Sequence, residues 1–515
     1  MRESSDKASS EIWIGGDWCA SEATDFFQSE NPSKGEVLAT KFPVSPWNEI
    51  QQALNHAAAA SEVLAKANEN QIADFLDLYA AGIEANSEAL AEIAHSETGL
   101  PILPRLLKVE LPRTTNQLRQ AATAARNSSW RRAVRDTAGS LNSTFAPLGG
   151  PVVVMGPNNF PFAFNSIAGG DFAAALVAQN PVIAKANPGH PGTTALLARV
   201  SSEALAKTSL PSATLQLLFH MSDEDGLKLV SHARTAATAF TGSRHGGLKL
   251  KAAADQAGKL FYAELSSVNP VVVLGGALRE RSAAIAEEFF VSCTAGTGQF
   301  CTSPGLLILP DTPEGKSFLE TAILRFQQAP AGTLLSRNVL LSIAAGIERL
   351  QASGAVVRCG GKSGSGPGIT FQGTLLSVSG ATFLQFSSQL QTEVFGPVSL
   401  VVLSSSNAQT RAIIEALEGN LTGTVYLSTQ GEDKPAYHEV EPTLRRKVGR
   451  LINNRMPTGV AVSPAMNHGG PFPATTHPGF TAVGLPYSIQ RFAALHCYDN
   501  VCQDFLPEHL RGEQI

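Results

Sequence analysis

Three polar side chains stand where apolar stretches give way to turns, and each is of a type that takes part in carbonyl chemistry. Cys301 lies in a glycine-rich turn over residues 298–305, where backbone N–H groups can lower the pKa of an accessible thiol. Glu264 ends an apolar run and can act as a base near neutral pH if burial raises the pKa of its carboxyl. Asn159 follows the apolar run Val152–Met155 and can donate a hydrogen bond to a developing oxyanion.

A plain structural interpretation stands beside each of these chemical ones. Cys301 can be a buried, inert thiol, and Glu264 can be a turn residue that caps a helix. Asn159 can be an ordinary turn residue, since asparagine favours turns. The segment Phe240-Thr241-Gly242-Ser243, with Gly247 four residues on, predicts a strand, a turn and a helix start. Such a helix N-terminus can receive a dinucleotide phosphate, although the segment lacks the G-x-G-x-x-G pattern.

The elements that must position these side chains change in character near Pro151. Helical periodicity dominates before it, whereas short apolar strands alternate with amphipathic helices after it. This alternation is typical of parallel sheets covered by helices on both faces, so we predict an α/β fold with two doubly wound layers. The predicted helices span 48–66, 72–83, 87–98, 105–126, 193–207, 223–231, 315–328 and 408–417. The predicted strands span 152–155, 182–184, 214–219, 237–240, 261–264, 271–274, 306–309, 399–403 and 424–427.

The composition narrows the function classes. A chain of 515 residues predicts about three domains. Only 16% of its residues are charged, below the roughly 25% that is average, which indicates much internal surface or a buried subunit interface. The net charge of −5 does not suit a general nucleic-acid binder, and no apolar run approaches the ~20 residues of a membrane helix. The first residues are polar, so we expect no secretory signal.

The six cysteines do not form a disulfide or zinc framework. They stand at 19, 293, 301, 359, 497 and 502, without a C-x-x-C pair or a His/Cys cluster at zinc spacing. We therefore expect no metal site, and a cytoplasmic protein with reduced thiols.

Six motifs in order resemble the aldehyde dehydrogenase superfamily over nearly the whole chain. The sequence motifs are P-N-N-F-P at 157–161, A-K-A-N at 184–187, F-T-G-S at 240–243, E-L-S-S at 264–267, G-Q-F-C at 298–301 and E-V-F-G-P at 393–397. The resemblance implies that Cys301 is the nucleophile, Glu264 the base that activates water and Asn159 an oxyanion donor. It further implies a cofactor site made by Lys185, Gly242, Ser243, Gly247, Glu393 and Phe395.

The same resemblance implies the domain plan. An NAD(P)-binding domain is expected over 1–135 and 150–265, and a catalytic domain carrying Cys301 over 266–485. A small β oligomerisation arm is expected over 136–149 and 486–504. Such an enzyme is expected to be a homodimer or homotetramer.

Within the superfamily, several blocks look like the 2-oxoglutarate semialdehyde (2,5-dioxopentanoate) dehydrogenase branch. They are E-T-G-L-P at 97–101, the nucleophile segment at 298–304, H-G-G-P-F-P-A at 468–474 and F-T-A-V-G at 480–484. A carboxylate at the far end of the substrate needs a cation, and Arg113 is our first candidate, ahead of Arg119 and Arg455. Phe160 and Phe472 are expected to line the aldehyde tunnel.

Departures from the family pattern leave the choice between NADP and NAD open. Asn158 replaces the usual tryptophan, and Pro188 stands where NAD-preferring members often carry a glutamate that binds the ribose hydroxyls. Lys185 or Arg244 can supply positive charge to a 2′-phosphate. An acidic cluster at 223–225 argues against a strong preference for NADP.

Four alternatives remain beside this reading. The chain can be an NADP-linked fatty aldehyde dehydrogenase, or a CoA-acylating one, although Glu264 is not needed when CoA resolves the thioester. It can be a catalytically silent family member, although Cys301, Glu264 and Asn159 are all intact. A Cys–His hydrolase is the weakest option, because no histidine stands near Cys301 in the sequence.

Overall fold

The computed structural model describes residues 11–136 and 138–511. Its described strands, in chain order, are β1 (Glu11–Ile14), β2 (Asp17–Ala20), β3 (Phe26–Asn31), β4 (Glu36–Pro43), β5 (Val134–Asp136), β6 (Leu141–Pro147), β7 (Val152–Met155), β8 (Val182–Lys185), β9 (Leu215–Leu218), β10 (Ala237–Thr241), β11 (Leu260–Glu264), β12 (Val271–Val273), β13 (Leu306–Pro310), β14 (Gly332–Thr333), β15 (Val356–Cys359), β16 (Thr370–Phe371), β17 (Thr374–Ser379), β18 (Val398–Ser404), β19 (Asn420–Tyr426), β20 (Val448–Asn453) and β21 (Ala493–Asp499).

Helices connect most of these strands. They are α1 (Trp47–Leu64), α2 (Glu69–Ala85), α3 (Ser87–Thr98), α4 (Leu111–Arg126), α5 (Gly170–Val177), α6 (Pro191–Leu205), α7 (Asp223–Ser231), α8 (Arg244–Gln256), α9 (Gly275–Thr294), α10 (Pro313–Gln328), α11 (Arg337–Ala352), α12 (Gly380–Gln385), α13 (Ser387–Leu390), α14 (Asn407–Glu415), α15 (Lys434–Lys447) and α16 (Tyr487–Gln490). A π-helical segment, Ile102–Glu110, precedes α4.

The first large sheet has the strand order β11-β10-β7-β8-β9-β1-β2. The strands from β7 to β11 run parallel, whereas β1 and β2 add an antiparallel hairpin at the β9 edge. Thr241 is in register with Glu264, and Met155 is in register with Lys185. The polar residues that end these strands therefore meet at one edge of the sheet, where open α/β sheets bind ligands.

The second large sheet has the order β15-β17-β18-β13-β12-β19-β20. Its strands are parallel except for β15, which pairs antiparallel with β17. Buried side chains pack on both sides of this sheet, with Leu306 and Ile308 in one cluster and Leu307 and Leu309 in another. That alternation is what a strand covered by helices on both faces must show. The prediction of an α/β fold with two doubly wound layers is confirmed.

A separate antiparallel sheet has the strand order β21-β6-β5. β6 and β21 lie in the segments expected to form the arm, whereas β5 begins at Val134, two residues before the expected arm. β6 is its central strand and pairs with β5 on one side and with β21, near the end of the chain, on the other. The division of the chain into three domains stays a prediction.

Two local expectations were wrong. The helix predicted from residue 105 begins as α4 at Leu111, because the preceding nine residues form the π-helical segment. The N-terminal third also holds strands β1 to β4, which the helical periodicity of the following residues did not indicate. A positive-φ pair, Gly15 (φ 69°) and Gly16 (φ 104°), makes the tight β1–β2 turn. No helix among residues 11–136 and 138–511 is long and apolar enough to cross a membrane.

Candidate active site

A tight turn presents Cys301 between α9 and β13. Gly298 has φ 66°, and a Cβ added there would lie 2.2 Å from the carbonyl oxygen of Gly396. Only glycine fits so close a backbone approach. The turn is thereby packed against the segment that carries Glu393 and Phe395, and Cys301 is left partly buried.

Cys301 lies in a cluster with Glu264 and His468. The Nε2 atom of His468 lies 3.3 Å from Cys301 Sγ and 3.2 Å from Glu264 Oε2. The side chains of Glu264 and His468 are each 2% exposed. The backbone N–H of His468 donates to Thr481 Oγ1 at 2.9 Å, which fixes the segment behind the ring. One nitrogen thus stands between a thiol and a carboxylate in a site that excludes most water.

Burial raises the pKa of the Cys301 thiol well above its usual value, and the negative charge of Glu264 raises it further. The positive charge of Arg113 opposes this shift. The thiolate, which is the nucleophilic form, is therefore disfavoured unless a neighbouring group takes the proton. His468 is within reach to do so.

His468 is the residue of this cluster that the sequence analysis did not single out as a site residue. It begins the block at 468–474 that marked the branch, but it stands 167 residues after Cys301. We expected no histidine near Cys301 because none is close to it in the sequence. That expectation was wrong, because the fold brings His468 into contact with Cys301. The sequence feature that could have pointed to it is a histidine directly before the glycine-rich segment 469–474.

The same three side chains are also a set of metal-ligand types. Their ligand atoms all lie within 4.8 Å of one another. Sulfur, imidazole nitrogen and carboxylate oxygen are zinc ligands in proteins. The expectation of no metal site was drawn from spacing along the chain, which does not reveal such a set.

Asn159 reaches the nucleophile segment through its side chain. Its Nδ2 donates to the carbonyl oxygen of Gln299 at 2.9 Å, and the residue is buried. The structure therefore places Asn159 beside the segment of Cys301, which lies in the cluster with Glu264.

The residues expected to hold the cofactor lie along the carboxyl edge of the first sheet. Gly242 and Ser243 link β10 to α8, and Ser243 caps that helix by accepting from Gly246 N at 3.3 Å. The N-terminus of a 13-residue helix offers N–H groups and partial positive charge to a phosphate. A Cβ added to Gly247 would lie 2.3 Å from Cδ2 of Leu265, the residue that follows Glu264, so a larger residue at 247 would clash there. This donor set fits a dinucleotide phosphate.

Lys185 ends β8, and burial lowers the pKa of its amine to about 8. The second cation considered for a 2′-phosphate, Arg244, is paired with Glu418 at 2.6 and 3.2 Å. Arg244 therefore reaches across to the segment before β19, and its charge is already compensated.

Glu393 and Phe395 line a small cavity beside the nucleophile turn, together with Ser267, Gly298 and Phe300. Burial raises the pKa of the Glu393 carboxyl to about 7, while hydrogen bonds from Ser266 and the Ser267 backbone oppose the shift. A carboxyl group here can accept hydrogen bonds from a sugar hydroxyl, which suits the ribose role that the resemblance implies.

Two of the expected substrate residues lie beside Asn159, and the third does not. Phe160 is buried and packs edge-on against Phe300 at 5.4 Å between ring centroids. Arg113 lies 5.4 Å from the Phe164 ring centroid and 5.7 Å from that of Phe160. Phe472 is 58% exposed in the single chain, whereas the wall of an enclosed tunnel is buried. The structure therefore does not place Phe472 in the buried cluster with Phe160.

Comparison with known proteins identifies the family. A model of the aldehyde dehydrogenase family matches residues 18–472. The chain belongs to the aldehyde dehydrogenase family. It is therefore an oxidoreductase that acts on aldehydes with NAD or NADP.

This aldehyde dehydrogenase has relatives of nearly equal length. It is 39% identical to alpha-ketoglutaric semialdehyde dehydrogenase 2 of Azospirillum brasilense over 512 residues, which cover 97% of this chain and 96% of that protein. It is 36% identical to alpha-ketoglutaric semialdehyde dehydrogenase of Acinetobacter baylyi over 496 residues, covering 94% and 92%.

Solved structures share the fold. A putative aldehyde dehydrogenase from Burkholderia cenocepacia superposes with a TM-score of 0.82 at 21% identity, covering 98% of this chain and 100% of that one. A mutant aldehyde dehydrogenase C from Pseudomonas syringae, crystallised with NAD+ and octanal, gives a TM-score of 0.81 at 18% identity, covering 96% and 97%.

Proposed function

We propose that this aldehyde dehydrogenase oxidises 2-oxoglutarate semialdehyde (2,5-dioxopentanoate) to 2-oxoglutarate. The two relatives of nearly equal length are named for the alpha-ketoglutaric semialdehyde, which is the same compound. That substrate carries an aldehyde at one end and a carboxylate at the other. The site therefore needs a nucleophile for the first group and a cation for the second.

The observation that carries the substrate proposal is the state of Arg113. Its Nε donates to Gln117 Oε1 at 3.0 Å, but its Nη2 is buried without a hydrogen-bond partner among the described residues. A buried unpaired donor costs free energy, which a bound carboxylate can recover through a charge-assisted hydrogen bond. Arg113 lies beside Phe160, whose ring packs against Phe300, the residue before Cys301.

The competing candidates for this role have other environments. Arg119 forms a surface pair with Glu84, its Nη2 lying 2.8 Å from Oε2. Arg455 is exposed and lines a groove with Ser292 and Arg450. We therefore assign the distal carboxylate to Arg113, and Arg455 serves as the comparison.

The first half of the reaction uses the Cys301–His468 contact. Transfer of the thiol proton to His468 Nε2 yields a thiolate, and Glu264 stabilises the imidazolium that forms. The thiolate sulfur then bonds to the aldehyde carbon, and the carbonyl oxygen becomes an oxyanion. The Asn159 amide and the Cys301 backbone N–H hold that oxyanion, a contact of a kind worth about 2.7–4 kcal/mol per donor.

The second half regenerates the thiol. The dinucleotide, when bound, supplies the hydride acceptor, so Cys301 carries a thiohemiacetal before the oxidation and a thioester after it. Glu264 takes a proton from water, and the resulting hydroxide attacks the thioester carbon. The C–S bond breaks, the carboxylic acid leaves, Cys301 recovers one proton from the Glu264–His468 pair, and the second proton held by the pair is released to solvent.

Both dinucleotides are expected to serve. Pro188 presents no carboxylate to repel a 2′-phosphate. Yet Arg244 is neutralised by Glu418, and Asp223, Glu224 and Asp225 begin α7. These opposed charges predict no strong preference for NADP.

The Arg113 assignment has a direct kinetic test. Arg113→Met and Arg455→Met are compared with wild type for kcat/KM on 2-oxoglutarate semialdehyde and on pentanal, a neutral aldehyde of equal length. Arg113→Met is expected to lower kcat/KM about 10- to 100-fold on the semialdehyde only, since a hydrogen bond to a charged group contributes about 1.5–3 kcal/mol. If Arg455→Met instead lowers kcat/KM on the semialdehyde, the substrate carboxylate binds in the groove that Arg455 lines, and the Arg113 assignment is wrong.

A substrate panel separates the broader alternatives. Succinic semialdehyde, glutaraldehyde and long-chain aldehydes are assayed beside the proposed substrate, with each dinucleotide and with or without CoA. A preference for long-chain aldehydes with NADP would favour the fatty aldehyde alternative, and CoA-dependent turnover the acylating one. No NAD(P)H from any aldehyde, together with failure of iodoacetamide to label Cys301, would favour a silent family member.

We further propose that the chain works as a homodimer or homotetramer in the cytoplasm. The arm sheet β21-β6-β5 carries exposed apolar side chains that a partner subunit would cover, among them Val134 and Leu495. A reducing compartment suits a reaction that requires Cys301 as a free thiol.

A further inference from the structure

Glu110 is a carboxylate with no exposed surface in a segment that the reaction scheme does not use. Its Oε1 accepts from the backbone N–H groups of Phe162 at 2.8 Å and Ala163 at 3.1 Å. Its other oxygen pairs with Arg105. A buried charge is tolerated when it is paired and hydrogen-bonded in this way.

Arg105 contacts the segment that holds Asn159, the proposed oxyanion donor. Its Nη2 donates to the carbonyl oxygen of Asn159 at 3.1 Å. Its guanidinium lies 4.5 Å from the ring centroid of Phe160, the next residue. The pair Glu110–Arg105 thus holds both ends of the segment 159–163, which presents the Asn159 amide toward the nucleophile turn.

The π-helical segment explains how these two residues come together. In an α-helix of 3.6 residues per turn, positions five apart point about 140° away from each other. A π-turn closes between residues i and i+5 and so brings such positions to one side. Leu111 N bonds to Leu106 O in this i to i+5 pattern. Arg105 and Glu110 are likewise five residues apart and meet on one side.

We propose that Arg105 and Glu110 are positioning residues for the reaction: they fix the segment 159–163 so that the Asn159 amide reaches the oxyanion on Cys301. This inference rests on the proposed role of Asn159 as oxyanion donor. Arg105 and Arg113, which both lie beside Phe160, then have different tasks. Both terminal nitrogens of Arg105 are bonded, one to Glu110 and one to Asn159, whereas the terminal Nη2 of Arg113 is buried without a partner among the described residues.

A double-mutant cycle tests the coupling. Arg105→Met, which keeps the length of the side chain, is made alone and together with Asn159→Ala, and the rate of the NAD(P)H burst is measured at saturating aldehyde and dinucleotide. Alone, Arg105→Met is expected to slow the burst about 10- to 100-fold, since a misplacement of 1 Å can cost about 10²-fold. In the Asn159→Ala background the same change is expected to slow it less than about threefold.

Two further measurements keep the test decisive. The fraction of Cys301 that reacts with a thiol label is measured in each variant, so that burst rates are expressed per folded active site. Arg119→Met removes a surface pair with Glu84 and serves as the matched control. It is expected to change the burst rate by less than about twofold. Arg105→Lys, which keeps the charge but not the two-armed contact, is expected to recover part of the rate at most.

The outcomes separate the inference from its premise. An equal slowing by Arg105→Met with and without Asn159→Ala would overturn the positioning role, because the effect would not pass through Asn159. A normal burst in Asn159→Ala alone would instead remove the oxyanion role on which the inference rests.

Discussion

In the proposed reaction, Cys301 bonds to the aldehyde in the first half and Glu264 activates water in the second half, although both lie beside the same ring nitrogen of His468. Cys301 must lose a proton and bond to carbon before oxidation, whereas Glu264 must accept a proton from water after it. Single substitutions can therefore stop the cycle at different points.

The division of roles predicts two kinetic signatures. Cys301→Ala is expected to abolish oxidation, because no thioester can form. Glu264→Gln is expected to keep the first-turnover burst of NAD(P)H and lose steady turnover, because the thioester is no longer hydrolysed. Rapid-mixing measurement of NAD(P)H absorbance distinguishes the two, and normal steady turnover in Glu264→Gln would show that another group is the base.

His468 predicts a pH-dependent reactivity of the nucleophile. Burial raises the pKa of the Cys301 thiol, so its alkylation near neutral pH depends on transfer of the proton to His468. His468→Gln is expected to slow alkylation by iodoacetamide at least about tenfold at pH 7, with recovery as the pH rises. The rate is followed by mass spectrometry of the Cys301 peptide.

His477→Gln is the matched control for this experiment, since His477 is exposed and lies only nine residues along the chain. It is expected to leave the alkylation profile unchanged. The same flat effect in His468→Gln would mean that the thiolate forms without the histidine.

The start of helix α6 depends on a carboxyl group from another helix. Glu97, near the end of α3, accepts from Gly192 N, Thr193 N and Thr193 Oγ1, each at 2.8 Å. These contacts satisfy N–H groups that the first turn of a helix leaves unpaired. Burial nevertheless raises the pKa of Glu97 from 4.5 to about 7.

This shift fixes the sign of a pH effect on stability. Between the unfolded value of 4.5 and the folded value of about 7, the folded state keeps a proton that the unfolded state has lost. The contribution of Glu97 to the free energy of unfolding therefore falls as pH rises through that window. Glu97→Gln is expected to show a flatter dependence of Tm on pH from 5 to 7 than wild type.

Thermal melts at several pH values check this expectation. Glu92→Gln, at an exposed position on the same helix, should follow the wild-type curve. A Glu97→Gln curve parallel to wild type would mean that Glu97 does not titrate differently in the folded state.

Element boundaries show where local patterns suffice. The structure has α7 at Asp223–Ser231, the residues that the amphipathic pattern predicts, because Ser222 caps it by accepting from Asp225 N at 3.1 Å. The predicted start of a helix at Arg105 was wrong, since a π-helical segment keeps a helix-like apolar pattern while changing the turn. Periodicity detects the helix but not the extra residue.

One face of the arm sheet carries exposed apolar side chains. Val134 pairs with Ser143 and Leu495 pairs with Phe145, and positions 143 and 145 point to the same side of β6. Val134 is 60% and Leu495 64% exposed in the single chain. The low charge content of the sequence is consistent with a face that a second subunit covers.

Leu495→Asp is expected to weaken the oligomer, because an uncompensated carboxylate would be buried in the subunit contact. Sedimentation velocity measures the shift toward monomer. Leu324→Asp, at an exposed apolar position on α10, should leave the oligomer intact. If wild type is itself a monomer, the arm does not act as a subunit interface.

The fold class could be predicted from the sequence and is confirmed, and the sequence also singled out the three side chains that we propose for the reaction, Cys301, Glu264 and Asn159. Strand ends of a parallel sheet meet at one edge, so local patterns sufficed to place Lys185 and Glu264 along the same edge. The Gly298 turn is likewise dictated locally, because no larger residue fits against Gly396. Only the tertiary structure brought His468 to Cys301 and committed Arg105, rather than Arg113, to the oxyanion segment. The reason is that such contacts join side chains far apart in the chain, and packing between elements decides them.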